Sequence, residues 1–122
     1  MDADLEIELS EGAAACRVVS DGQREIPVLI VRVGGKLQAY LNNCPHAGVR
    51  LDWANGTVVQ EGSSYLRCSM HGALFEPVHG KCVSGPCKGA ALVPIDADAV
   101  PGGRLRLKRL ETVPRRAFAP RR

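Results

Sequence analysis

Leu5, Ile7 and Leu9 alternate with Glu6 and Glu8, a period of two that predicts a strand with an acidic outer face. The alternation returns near the other end, where Leu105 and Leu107 interleave with Arg104, Arg106 and Lys108. Side by side, the two strands would set glutamates opposite the basic residues, so the ends of the chain are expected to meet in one sheet. Further short strands are predicted at 16–19, ending at Ser20-Asp21-Gly22, and at 27–33 and 36–41, flanking the two-residue hairpin signal Gly34-Gly35. Residues 57–60 and 65–67 form another expected hairpin around Gly62-Ser63-Ser64, and 73–75 and 81–83 a third around His79-Gly80. Residues 92–95 and 104–107 are expected to close the domain around Pro101-Gly102-Gly103. No segment keeps a 3.6-residue period for three turns, and the predicted fold class is all-β.

At 122 residues the chain supports one core. Thirteen Gly and eight Pro suit short strands and turns. No run approaches the roughly 20 apolar residues of a membrane span, so no membrane partner is expected. The N-terminus opens with five acids and no base, unlike a secretory signal, and the expected location is cytoplasmic. Five cysteines are an odd number, and in such a compartment they are expected reduced, metal-bound or buried, not in a disulfide framework. Charge is unevenly placed. Residues 104–122 hold eight of the sixteen Lys and Arg against Glu111, while the rest of the chain carries twelve acids against eight bases. The strand-like interleaving of Arg104, Arg106, Lys108 and Arg109 with Leu105, Leu107 and Leu110 accounts for half of those eight basic residues as a wet face, so nucleic acid is not an expected partner. Residues 111–122, with Pro114 and Pro120 beside Arg pairs, form an expected flexible basic tail.

After Leu41 the texture changes to NNCPHAGVRLDWANG, turn formers without either period. Here Cys44-Pro45-His46 supplies one thiolate and one imidazole, and Cys68-Ser69-Met70-His71 supplies another of each. Structural zinc sites usually take paired cysteines from one knuckle and paired histidines from another element. The alternating order instead suits a two-iron cluster, each loop giving its cysteine to one iron and its histidine to the other, which is the ligand set of a Rieske centre. A zinc site, or two unrelated turns, are the competing readings of the four residues.

These motifs resemble the Rieske [2Fe-2S] family, and more closely its soluble ferredoxins than its anchored members. The resemblance is carried by C-x-H and C-x-x-H, the glycines Gly48 and Gly72 beyond them, and the proline loop 84–87, and it extends more loosely over residues 5–110. It implies a sandwich base from 1–41 and 89–110, with a small cluster-binding subdomain at 42–88 inserted into it. It also implies that Cys44, His46, Cys68 and His71 hold a [2Fe-2S] cluster. The function implied is electron transfer, one electron at a time, from a flavin-containing reductase to an oxygenase or similar terminal enzyme, without catalysis by the chain itself. The alternative is a small or accessory subunit of a larger redox enzyme such as a nitrite reductase. Twenty-one residues separate His46 from Cys68, long for this type of ferredoxin, and the excess falls in a 51–64 insertion.

High-potential members of the family place Ser and Tyr hydroxyls where this chain has Ala73 and Phe75, and tie their loops by a disulfide where it has Val49 and Met70. The resemblance therefore implies a midpoint near the negative end of the histidine-ligated range of about −150 to +300 mV. Cys16, Cys82 and Cys87 are expected to be small buried hydrophobes, with a Cys82–Cys87 bridge the weaker alternative. His79 is expected in solvent, and Trp53 as a packing residue of the insertion.

Overall fold

A computed structural model describes residues 2–45, 50–52, 58–59, 65–68, 72–85 and 89–114. Its architecture follows from one strand that is buried on both faces, β3 (Glu25–Val33). Ile26, Val28 and Ile30 point into one apolar core and Leu29 and Val31 into another, as a two-residue period requires when layers cover both sides of a sheet. Antiparallel to β3 run β2 (Ala14–Ser20) and β4 (Lys36–Leu41), and β8 (Pro94–Ile95) continues the sheet beyond β4. The predicted hairpin is present: Val33 faces Lys36 across Gly34 and Gly35, both at positive φ, the backbone of a type I′ turn. The Glu11 carboxylate accepts from both glycine amides, at 2.6 and 3.0 Å.

The ends of the chain do meet. A three-stranded sheet orders β1 (Ala3–Glu6), β10 (Arg104–Leu107) and β9 (Ala97–Val100), with β10 in the centre. The acidic partners differ in part from those expected. Glu6 lies opposite Arg104, but Asp4 lies opposite Arg106, whose guanidinium donates to it at 2.8 and 3.2 Å, and Lys108 reaches Asp98 on β9 at 2.6 Å. The strand β1 begins earlier than 5–9 and ends before Ile7, which is buried in the same core. The last hairpin is also corrected. Pro101-Gly102-Gly103 joins β9 to β10, whereas Pro94 and Ile95 pair with β4 in the other sheet. The chain changes sheets at Asp96, whose carbonyl accepts from the Lys108 amide at 2.8 Å. Ala97 and Ala99 are too weakly apolar for the period of β9 to stand out in the sequence.

A third sheet orders β5 (Leu66–Arg67), β6 (Leu74–Phe75) and β7 (Cys82–Ser84), with a bulge at Leu74/Phe75. The bridge Val59–Leu66 belongs to the hairpin predicted at 57–60 and 65–67, whose Thr57, Gln60 and turn lie outside the described residues. This sheet contributes to the second core, with Leu29, Val31 and Tyr40 from the central sheet. The Tyr40 ring fits there because Gly80 leaves room: a Cβ on Gly80 would sit 2.8 Å from Tyr40 Cε1. The Tyr40 hydroxyl donates to the Pro77 carbonyl at 2.6 Å, and burial pushes its pKa up to about 12.

Beyond β10 the chain turns through Arg109, at φ 55°, into the 3-10 turn Leu110–Thr112. Leu110 and Val113 are buried in the first core, and Arg24 Nη2 donates to their carbonyls at 3.1 and 2.7 Å. The first residues of the expected tail are thus packed, and 115–122 lie outside the described residues. Among the described residues there is no α-helix, and no helix is long and apolar enough to cross a membrane.

Candidate metal centre

Each candidate cysteine lies just beyond a strand end. β4 stops at Leu41, whose amide donates to the Val93 carbonyl at 2.8 Å, and the next amide, of Asn42, donates to Pro27 at 3.0 Å. These bonds fix the exit of the sheet two residues before Cys44. Cys68 directly follows β5, where the Arg67 amide donates to the Val58 carbonyl at 2.8 Å. Both cysteines are 1% exposed and share one apolar cluster with Leu51, Val58, Leu66, Ala73, Phe75 and Cys82. The structure therefore buries Cys44 and Cys68 in the same apolar core. His46 and His71 lie outside the described residues, as do Gly48, Val49, Trp53, Met70, Pro86 and Cys87.

The first turn is held by a side chain. Asn42, 1% exposed, accepts from the Leu51 amide through Oδ1 at 2.7 Å and donates through Nδ2 to Asp52 Oδ1 at 3.1 Å and to Cys16 Sγ at 3.5 Å. One amide group thus ties the start of the loop to the residues nine and ten positions on. Leu51 is driven fully into the core behind it. Asn42 passed as one more turn former in the sequence, and the only signal that could have separated it was its place directly after the last apolar residue of β4.

The second turn is closed by its own backbone. The Cys68 amide donates to the Ala73 carbonyl and the Gly72 amide to the Cys68 carbonyl, both at 2.9 Å. Closure at that point needs a left-handed residue, and Gly72 has φ 72°. Gly85, from the proline loop, seats on this turn: a Cβ there would lie 2.8 Å from the Ala73 Cα. That glycine was not singled out in the sequence, where the proline carried the resemblance. Buried Ala73 and Phe75 present no hydroxyl to the core shared by Cys44 and Cys68.

The other cysteines divide. Cys82 is buried as expected, and its thiol donates to the Ser84 carbonyl at 3.3 Å, so Cys82 is not part of a disulfide. Cys16 is only half-buried, on an edge strand beside a cleft that Asn42, Arg50 and Asp52 also line. Burial first, and then the neighbouring Asp52 carboxylate, push its pKa up to about 11, so it remains a thiol at neutral pH. His79 is exposed, as expected, beside Glu76.

Two buried thiols on separate turns within one apolar cluster suit soft metal chemistry. With two thiolates, two sulfides, two ferric ions and neutral imidazoles the oxidised group has no net charge, so an apolar wall around it carries little ionic desolvation cost.

Comparison with known proteins gives a consistent answer. A family model of the Rieske [2Fe-2S] domain matches residues 4–111. Among solved structures, the ferredoxin of carbazole 1,9a-dioxygenase from Nocardioides aromaticivorans IC177 is 26% identical, with a TM-score of 0.61 over 81% of this chain and 86% of that one. A chain from the complex of reduced oxygenase and oxidized ferredoxin in carbazole 1,9a-dioxygenase is 21% identical, with a TM-score of 0.62 over 85% of this chain and 91% of that one. A 2-oxoquinoline 8-monooxygenase component is 24% identical, with a TM-score of 0.62 over 92% of this chain but 26% of its own. The last two bear on the fold alone. No curated protein sequence matches.

Proposed function

The chain belongs to the Rieske [2Fe-2S] family, and we propose that it works as a cytoplasmic ferredoxin, passing single electrons from a flavin-containing reductase to a terminal oxygenase. The observation that carries this reading is the joint burial of Cys44 and Cys68, each at the end of a strand, within a chain matched by the family model over 4–111. Likeness to a dioxygenase ferredoxin of similar length supports a carrier rather than a domain of the oxygenase itself.

In this reading Cys44 and Cys68 hold one iron, and His46 and His71 hold the other. The cluster supplies a one-electron couple near the low end of its range, because Ala73 and Phe75 offer the sulfurs no hydroxyl. The protein's own work is positional. The Asn42 clasp and the Cys68–Ala73 turn hold two loops over a common apolar floor, and that floor keeps water from the buried side.

The test is purification under anaerobic conditions. Visible bands that bleach with dithionite, acid-labile sulphide matching iron, and a paramagnetic signal on reduction are the expected results. Zinc in place of iron and sulphide would overturn the reading. Cys44→Ala and Cys68→Ala should lose the cluster, while His46→Cys or His71→Cys should lower the midpoint, since a thiolate adds negative charge. A wild-type midpoint above about +100 mV would contradict the low-potential assignment. Repeated reduction by a free flavoprotein is expected of a carrier; a tight complex surviving gel filtration would instead mark a subunit.

A further inference from the structure

A cation covers the second turn. Arg67 ends β5 next to Cys68, its backbone fixed by Val58 on one side and by pairing with Leu74 on the other. A Cβ on Gly72 would lie 3.9 Å from both Nε and Nη2 of Arg67. The guanidinium therefore packs against the turn that carries Cys68 at its start and His71 near its end.

Its charge also lacks a carboxylate partner among the described residues, as do those of Arg17, Arg32, Lys36 and Lys81, none of which lies on either candidate turn. Arg50, beside the first turn, has Asp52 at 3.4 Å, and Arg24, Arg104, Arg106, Lys108 and Arg109 each face an aspartate. No carboxylate of the described residues pairs with Arg67. A half-buried cation without an acid partner projects more of its field onto what it covers than one neutralised by a neighbour.

We propose that Arg67 is the residue whose charge sets the potential of this site, favouring the reduced state. This rests on the ferredoxin reading. Reduction adds one electron to a group that is neutral when oxidised, and the guanidinium stabilises that negative charge without itself gaining or losing a proton. Arg67 thus opposes the low potential expected from Ala73 and Phe75, and its place on the second turn makes the two turns electrostatically unequal.

Spectroelectrochemical titration of wild type, Arg67→Gln and Arg67→Lys tests it. At a fixed potential Arg67→Gln should lower the ratio of reduced to oxidised protein by about threefold to tenfold, the latter being ~59 mV for a one-electron couple. Arg67→Lys should recover most of the loss, and added salt should narrow the gap between wild type and Arg67→Gln. If Arg67→Gln does not assemble, Arg67→Met takes its place as the neutral variant. Coincident midpoints of wild type and a neutral variant with an intact visible spectrum would sink the proposal. So would equal shifts in the neutral and lysine variants, which would assign the effect to packing. Failure of the ferredoxin reading looks different: the wild type itself would then lack the visible bands and labile sulphide.

Discussion

The two turns that carry the candidate ligands perform one task with different fastenings. The second is self-contained: two backbone hydrogen bonds and a left-handed glycine close it within six residues, as a continuation of the strands on either side. The first has no such closure among the described residues. It is strapped by the Asn42 amide, which reaches across to Leu51 and Asp52 while the Asn42 backbone is tied to Pro27 in the neighbouring strand. A turn closed by backbone tolerates many side chains and depends on a few torsions. A turn closed by a side chain depends on that residue's identity and on the sheet that positions it.

The sharpest way to break this contrast is at Gly85. An added methyl would meet the Ala73 backbone at 2.8 Å, and the residue would be strained at φ 103°. Gly85→Ala should therefore destabilise the fold by about 3 kcal/mol and loosen the second turn. Urea unfolding gives the first quantity, and amide exchange of 66–75 against 42–52 gives the second. Equal loosening of both segments would mean that the turns are not separately fastened.

Asn42→Ala is the matching test on the other side. It removes the acceptor of a buried amide and two donated bonds, a loss of about 2 kcal/mol. Exchange should rise in 42–52 and stay unchanged in 66–75. Gly72→Ala should have a smaller effect, about 1 to 2 kcal/mol, because only the left-handed torsion is penalised and the nearest atoms lie 3.9 Å away. An Asn42→Ala loss below that of Gly72→Ala would reverse the ranking of the two fastenings.

These fastenings also mark what could be read in the sequence. The hairpin at Gly34-Gly35, the meeting of the termini and the hairpin at His79-Gly80 rest on local period and turn chemistry, and they stand in the structure. β9 has no such signal, because the two alanines at 97 and 99 carry too little hydrophobicity to announce a period, and it is β9, not 92–95, that pairs with 104–107. The cysteines of the site were legible as motifs. Asn42 and Gly85 were not, since one acts through bonds to residues up to ten positions away and the other through close approach to a separate loop. Such roles are properties of packing, and a turn former looks the same in sequence whether or not it carries one.

Acid offers the mildest test, through the carboxylates at the base of the fold. Asp21 accepts from the amides of Gln23 and Arg24 and from Arg24 Nε at 2.7 Å, and the same Arg24 holds the carbonyls of Leu110 and Val113. The Arg24 guanidinium, with the two amides, lowers the Asp21 pKa from 3.8 to about 2. A carboxyl with a lower pKa in the folded state contributes stability that is fully present above the unfolded value and is lost as pH falls through the folded one. Stability should thus decline from pH 3.8 toward about 2, and Asp4 and Asp98, whose pKa values their Arg and Lys partners also lower, act in the same direction. Urea midpoints measured down that range should fall less steeply in Asp21→Asn than in wild type. Parallel slopes would show that Asp21 does not couple the C-terminal turn to pH. If instead acid raised exchange at 42–52 before the 3-10 turn at Leu110–Thr112 loosened, the side-chain clasp would be the weaker link of the molecule, and the contrast between the two turns would extend from geometry to stability.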